Sequence, residues 1–322
     1  MKINNLISST LRKIFASLKT QVTRIERLSK MKASGFKVIF INDGDTEIIM
    51  PSQNIFDALL FSSSQFDKQS AFFFRPNKEA LLRKVIFNLF ESGYLDKKMS
   101  IIDIGCWLSD NTLPWAKMLT DNGVVHAVDP SKENLYFGEC IAQLNKISNI
   151  NWVEGVCSDV SNIPLSFTGS IDHAQFSNSK QLSDTIMSTT LDKIIEESNH
   201  QEISLIHVDV EGFEKKVLQG AEDIIDRCRP TILFEQHIAL ESISPITDFL
   251  HEKDYSIYMI NEVLTDCILD CRNFIAFDNL KRLPKFLNVT HHMGREQGIF
   301  YASLGGSLIH VERTMIESEN TG

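Results

Sequence analysis

From Ser100 onward the chain alternates short apolar runs with stretches of helical periodicity, and no other feature restricts its fold as much. The apolar runs, rich in Val and Ile, occupy residues 100–104, 124–128, 150–156, 203–208 and 231–234. Helical stretches at about 111–120, 132–144, 190–198 and 213–227 separate them. Alternation of this kind builds βαβ units, and hence a mostly parallel, doubly wound α/β sheet. A helix near 245–252 and strands near 256–260 and 273–277 follow. Residues 161–188, polar and rich in Ser and Asn, interrupt the rhythm and read as an insertion.

Upstream, residues 37–41 and 46–50 flank Asn42, Asp43, Gly44 and Asp45, a strong turn signal, and predict a β-hairpin. An amphipathic helix over 77–90 follows Pro76. Before the hairpin, Ile7, Leu11, Ile14, Leu18, Ile25 and Leu28 recur at spacings of three and four, which predicts an amphipathic helix over residues 3–31. The chain thus divides into a basic amphipathic helix (1–34), a hairpin and linker (35–74), an α/β domain (75–278) and a C-terminal extension (279–322).

Charge separates these parts. Residues 1–32 carry eight Lys or Arg against the single acid Glu26, which leaves 24 basic and 41 acidic residues in the remainder. So acidic a body is a poor binder of a phosphate backbone, and no nucleic-acid partner is expected of it. The basic helix leaves three readings open: docking on its own domain or on a second copy in a homodimer, lying on an anionic membrane, or reaching for nucleic acid. No run of about 18 apolar residues and no signal peptide is visible, so the protein reads as cytoplasmic. The cysteines (Cys106, Cys140, Cys157, Cys228, Cys267 and Cys271) are scattered. No C-x-x-C pair occurs, and neither a metal nor a disulfide role is expected of Cys267 and Cys271. Free thiols fit a reducing compartment.

In open α/β sheets, ligands bind beyond the carboxyl ends of the strands at the switch point. The first strand ends there in Asp103 and Gly105, and the second in Asp129, a position from which an acid accepts hydrogen bonds from ribose hydroxyls. Ser158 and Asp159 follow the third strand, where an adenine could be read, although a Ser-Asp pair also serves as a plain turn. Only one glycine stands in the loop after Asp103, where a dinucleotide fingerprint needs three. That speaks against a nicotinamide dehydrogenase and for an adenosine ligand without phosphates. Further on, Asp209 and Glu211 end one strand, with Gly212 opening a helix, and Glu235 and His237 end the next. Four ionisable groups on one rim pair or repel, and such groups tend to have displaced pKa values. Helix capping, or pairing with Arg229, would also account for Glu211 and Glu235.

The segment Val208-Asp-Val-Glu-Gly-Phe-Glu214, then Val217-Leu-Gln-Gly-Ala221, then Arg229-Pro-Thr-Ile-Leu-Phe-Glu235 resembles the FkbM family of methyltransferases. That family's pattern is I-D-V-E-G-x-E, V-L-x-G-A and R-P-x-I-x-x-E. Thr189-Thr-Leu-Asp192 matches its T-L-D element, and the resemblance covers about residues 75–278. It implies a class I methyltransferase fold, S-adenosylmethionine as donor, and a hydroxyl acceptor on a glycan, another sugar or a small metabolite. It also implies cofactor contacts at Asp103, Gly105, Asp129, Ser158 and Asp159, with Asp209 and Glu211 beside the methyl group. The chain departs from the family's D-x-G-A-N-x-G at Trp107 and Ser109, and a Trp there could stack on the ligand or crowd it.

Methyl transfer to a hydroxyl needs a base, and Glu211, Asp209 and His237 are the candidates, with Glu211 favoured by family position. Either acid could instead hold a divalent cation, although no dedicated metal-ligand spacing is present. The altered loop motivates a rival reading, a catalytically inactive methyltransferase fold kept as a binding module.

Overall fold

The structure, a computed structural model of the chain, describes residues 36–40, 47–51, 79–170, 173–177, 185–238, 242–262, 271–279, 289–290 and 308–311. Strands β1 (Phe36–Phe40) and β2 (Glu47–Pro51) pair antiparallel, with Phe36 opposite Pro51, as the turn signal between them requires. The helix expected over 3–31 lies outside the described residues. Then follow α1 (Ala80–Glu91), β3 (Ser100–Ile104), α2 (Thr112–Met118), β4 (Val125–Asp129), α3 (Lys132–Leu144), β5 (Ile150–Glu154) and β6 (Val156–Cys157). The insertion supplies β7 (Pro164–Ser170), β8 (His173–Ser177) and β9 (Thr185–Thr189), and α4 (Leu191–Glu196) returns the chain to β10 (Ile203–Val208). The remainder is α5 (Glu214–Gln219), α6 (Glu222–Cys228), β11 (Thr231–His237), α7 (Ser244–Glu252), β12 (Tyr255–Ile260), β13 (Cys271–Asp278), β14 (Val289–Thr290) and β15 (Leu308–Val311).

Nine strands form one sheet in the order β14-β15-β12-β13-β11-β10-β3-β4-β5. Neighbours from β5 to β11 are parallel, and β13 inserts antiparallel between β11 and β12. Without the two C-terminal strands, the sheet runs third, second, first, fourth, fifth, seventh, sixth. This is the doubly wound class I methyltransferase order with its reversed seventh strand. The order turns between β3 and β10, so a crevice opens where those two strands end. Alternate side chains face opposite layers. Ile101, Leu205, Leu233 and Ile275 pack under α1 and α2 with Leu82, Ile86 and Trp115. Ile102, Ile206, Ile232 and Ala276 pack under α4 to α7 with Leu191, Leu218, Ile224 and Leu250. Each fully buried Leu or Ile contributes about 1.5–3 kcal/mol. Burial on both faces explains why these strands read as unbroken apolar runs.

Three details differ from the sequence expectation. The helix expected over 213–227 is two helices, broken at Gly220 and Ala221. A Cβ on Gly220 would stand 2.1 Å from the Ser158 carbonyl oxygen, so the loop after β6 passes through that gap. The carboxylate of Asp192 restarts the helix, accepting from the amides of Asp223 (3.1 Å) and Ile224 (2.9 Å); such caps stabilise by about 1 kcal/mol. The run over 150–156 divides at Gly155, because β6 leaves the main sheet to pair with β9 in a four-stranded sheet of order β6-β9-β7-β8. Finally, Cys106, Cys140, Cys157 and Cys228 are free, but Cys271 is disulfide-bonded to a partner outside the described residues. The thiol argument for a reducing compartment therefore does not hold at Cys271. Among the described residues, no helix is long and apolar enough to cross a membrane.

Candidate functional site

Gly105 follows β3 with φ +75°, and its amide donates to the Val128 carbonyl at 2.8 Å. A Cβ there would stand 1.7 Å from the carbonyl oxygen of Asp209. The close approach that requires glycine is thus to the loop after β10. Trp107 and Ser109 follow with φ of 42° and 64°, a conformation that costs a residue with a Cβ about 1–2 kcal/mol. Ser109 is fully buried, and the space for it comes from α3: a Cβ on Gly138 would meet the Ser109 hydroxyl at 2.3 Å and the Trp152 ring at 2.7 Å. Trp107 is half-buried against Leu108, Leu113 and Phe137.

The acids of this side are spent on internal bonds. Asp129 accepts from the Trp107 amide at 2.9 Å through one oxygen, and from the Ser131 amide (2.8 Å) and Asn134 Nδ2 (3.1 Å) through the other. Burial pushes its carboxyl up to about 6 against those three bonds. Asp103 lies in the buried interior, accepting a short hydrogen bond from the Thr112 hydroxyl, with His207 Nδ1 at 2.7 Å from its other oxygen. Burial alone would lower the His207 pKa, but Asp103 outweighs it and the net shift is upward. The His207 ring meets Trp115 edge-on, centroids 5.2 Å apart. Ser158 is buried and donates to Asp159 at 2.8 Å, while Asp159 is exposed. Between these elements lies an apolar cavity lined by Ile104, Gly105, Val128, Pro130, Cys157, Val210 and Phe213, among others.

Across the switch point the acids crowd. Glu211 (φ 55°) and Gly212 (φ 100°) turn the chain sharply after β10. Glu214 braces that turn, accepting from the amides of Gly212 (3.0 Å) and Val210 (3.3 Å) and from Gln236 Nε2 (2.9 Å). His237 Nε2 stands 3.4 Å from Glu211 Oε2 and 3.8 Å from Glu235 Oε1, so the imidazole lies between two carboxylates. Burial pushes the Asp209 carboxyl up to about 8; His207 opposes the rise, while Glu211 and Glu79 add to it. Burial, then Asp209 and Glu79, raise Glu235 well above the usual range. Asp209 and Glu235 interact directly, and buried carboxyls so placed do not both ionise readily.

Sequence reasoning missed the support for this rim. Glu79, at the start of α1, accepts from Asn273 Nδ2 (3.0 Å) and Asn111 Nδ2 (3.2 Å). Arg83, 1% exposed, pairs with Asp110 at 2.8 Å, reaches Glu79 at 3.5 Å and donates through Nε to Asn111 at 2.9 Å. Burial raises the Asp110 carboxyl despite that guanidinium. Glu214 stands in the sequence motif and could have been given a role. Glu79 and Asn273 join the rim only through the fold.

The family model of the methyltransferase FkbM domain matches residues 102–257. Residues 102–257, just under half of the chain, are thus similar to an FkbM methyltransferase domain. No curated protein matches the chain. Among solved structures, a methyltransferase FkbM from Methylobacillus flagellatus KT is 13% identical with a TM-score of 0.42, covering 70% of this chain and 58% of its own. This chain therefore spans less than two thirds of that relative's length. An rRNA methylase from Streptococcus thermophilus is 12% identical with a TM-score of 0.38, covering 59% of this chain and 92% of its own. A Streptococcus mutans methyltransferase solved in complex with SAH is 13% identical with a TM-score of 0.39, covering 60% of this chain and 95% of its own.

The residues of the FkbM-like domain fit S-adenosylmethionine. The cavity at the strand ends is apolar, and Asp209, Glu211 and Glu235 crowd the neighbouring strand ends. A dinucleotide pyrophosphate would meet the same acids with the wrong sign of charge. Among the described residues, the one group of three side chains with metal-ligand geometry is Glu235, His237 and Cys271, which does not include Asp209 or Glu211.

Proposed function

We propose that the FkbM-like domain is an O-methyltransferase that uses S-adenosylmethionine to methylate a hydroxyl on a sugar, a glycan or a small hydroxylated metabolite. The observation that carries this reading is the imidazole of His237 held between Glu211 and Glu235 at the switch point, next to an apolar cavity. The cofactor supplies an electrophilic methyl group on sulfur. The cavity residues orient its adenosine and exclude water, and the crowded acids favour the positive charge. Glu211 would take the proton that the acceptor hydroxyl loses on methylation, with His237 beside it to pass the proton on. The raised carboxyls of Asp209 and Glu235 favour their protonated forms, which leaves Glu211 as the base.

A second reading is a binding module without turnover, and it draws on the internal bonds that already occupy Asp103 and Asp129. Calorimetry with S-adenosylmethionine and its demethylated product separates the two, with measurable heat expected for the enzyme. A methyl-donor assay across glycans, sugars and small hydroxylated compounds then finds the acceptor. In that assay Glu211→Gln and His237→Ala should each lower kcat by about 10²–10³-fold. Full turnover in both variants would refute the assignment of the base.

A further inference from the structure

We propose that Glu235, His237 and Cys271 form a redox-gated zinc site, which binds one Zn2+ when Cys271 is a thiol and loses it when Cys271 is in its disulfide. The register places the ligands. His237 on β11 stands opposite Cys271 on β13, and Glu235 stands opposite Asn273. Residues two apart on a strand share a face, and so do directly opposed residues of an antiparallel pair. All four side chains therefore project from one face at the end of these two strands. The sulfur of Cys271, a ring nitrogen of His237 and a carboxylate oxygen of Glu235 lie within 4.8 Å of one another.

The donor set selects the ion. Sulfur, imidazole and carboxylate together suit zinc, whereas magnesium and calcium take oxygen alone. Three protein ligands leave one tetrahedral position, and Asn273, opposite Glu235 in the register, shares their face of the sheet. Asn273 is 4% exposed, and its Oδ1 has no hydrogen-bond partner. Its Nδ2 is held by Glu79, which fixes the amide on the shared face.

Cys271 is disulfide-bonded, so zinc and disulfide exclude each other. Opening the site takes a dithiol reductant, whose two thiols are oxidised to a disulfide while Cys271 and its partner cysteine each gain a hydrogen. Zinc then takes the Cys271 sulfur as thiolate, and the thiol proton passes to solvent. The site shares His237 and Glu235 with the methyl-transfer reading, but neither step requires that reading to hold.

The test uses the full chain, stripped of metal and divided into an oxidised sample and one reduced by a water-soluble phosphine. Zinc is titrated against a chromophoric chelator without air. One zinc per reduced chain is expected, bound at least about 100-fold more tightly than by the oxidised chain. His237→Ala and Glu235→Gln should each weaken the reduced-state affinity at least about 10-fold. Cys271→Ser should abolish the difference between the two redox conditions. Cobalt in the reduced wild type should show a thiolate-to-cobalt charge-transfer band, a readout that needs no variant to fold. Equal zinc affinity in the two redox states, an affinity indifferent to His237→Ala, or absence of that band overturns the site. Calorimetry with S-adenosylmethionine on the same samples reports the cofactor pocket separately.

Discussion

The acids at the ends of β3 and β4 and those at the ends of β10 and β11 stand on one sheet edge, yet they live under opposite conditions. Asp103 and Asp129 each meet donors from several elements, which hold the loop between residues 105 and 111 in place. Asp209 and Glu235 meet each other instead, and burial raises both. The first pair is structural in its present contacts. The second is poised to exchange protons or to meet a cation. One residue type thus does two jobs on the same rim, and what separates them is the supply of N–H and O–H donors.

The strongest way to break this arrangement is to push the two halves apart. Gly105→Ala sets a Cβ against the Asp209 carbonyl in a left-handed conformation. It should cost more than about 3 kcal/mol, seen as a large fall in melting temperature; a melt within a degree of wild type would show that the two loops are not locked together.

Matched amide substitutions sharpen the comparison. Asp129→Asn removes the charge that three donors share and should cost about 1.5–3 kcal/mol by denaturant titration. Asp209→Asn should do the reverse at high pH. The Asp209 carboxyl, ordinarily near 3.8 and pushed up to about 8, holds its proton more tightly folded than unfolded. The stability this confers is complete below about pH 4 and is lost as pH rises through about 8. The amide cannot ionise, so the variant should gain roughly 3–6 °C over wild type at pH 9 and almost nothing at pH 4. Melting curves that stay parallel across that range would overturn the raised Asp209 carboxyl. The smallest effect is expected away from both rims: Asp192→Ala, which uncaps α6, should lose about 1 kcal/mol and leave cofactor binding intact.

Most of the sheet could be read from the chain, because β3, β4, β10 and β11 are buried on both faces and so appear as continuous apolar runs. The break between α5 and α6 could not. Gly220 reads as part of a helix until the loop carrying Ser158 passes against it. The rim was half legible: Asp209, Glu211 and Glu235 stand in motifs, His237 ends the same strand as Glu235, and the structure brings His237 between Glu211 and Glu235. Local sequence says nothing of Glu79 or Asn273, because a crossover and an antiparallel register carry them there. For Asp103 and Asp129, sequence gave position but not occupation. Which donors reach a carboxylate depends on side chains such as Thr112, Asn134 and His207, whose directions only packing decides.

The outermost strands carry one more implication. Strand β12 pairs with β13 on one side and β15 on the other, so Leu308–Val311 covers backbone that would otherwise offer a row of unpaired donors and acceptors. On the ribosome, β12 is made about 50 residues before its cover. At about 5–20 residues per second, that leaves seconds in which nascent chains on one messenger can pair edge to edge. A late four-residue strand is thus a guard on assembly, and its loss should show as aggregation during synthesis before it shows as altered chemistry.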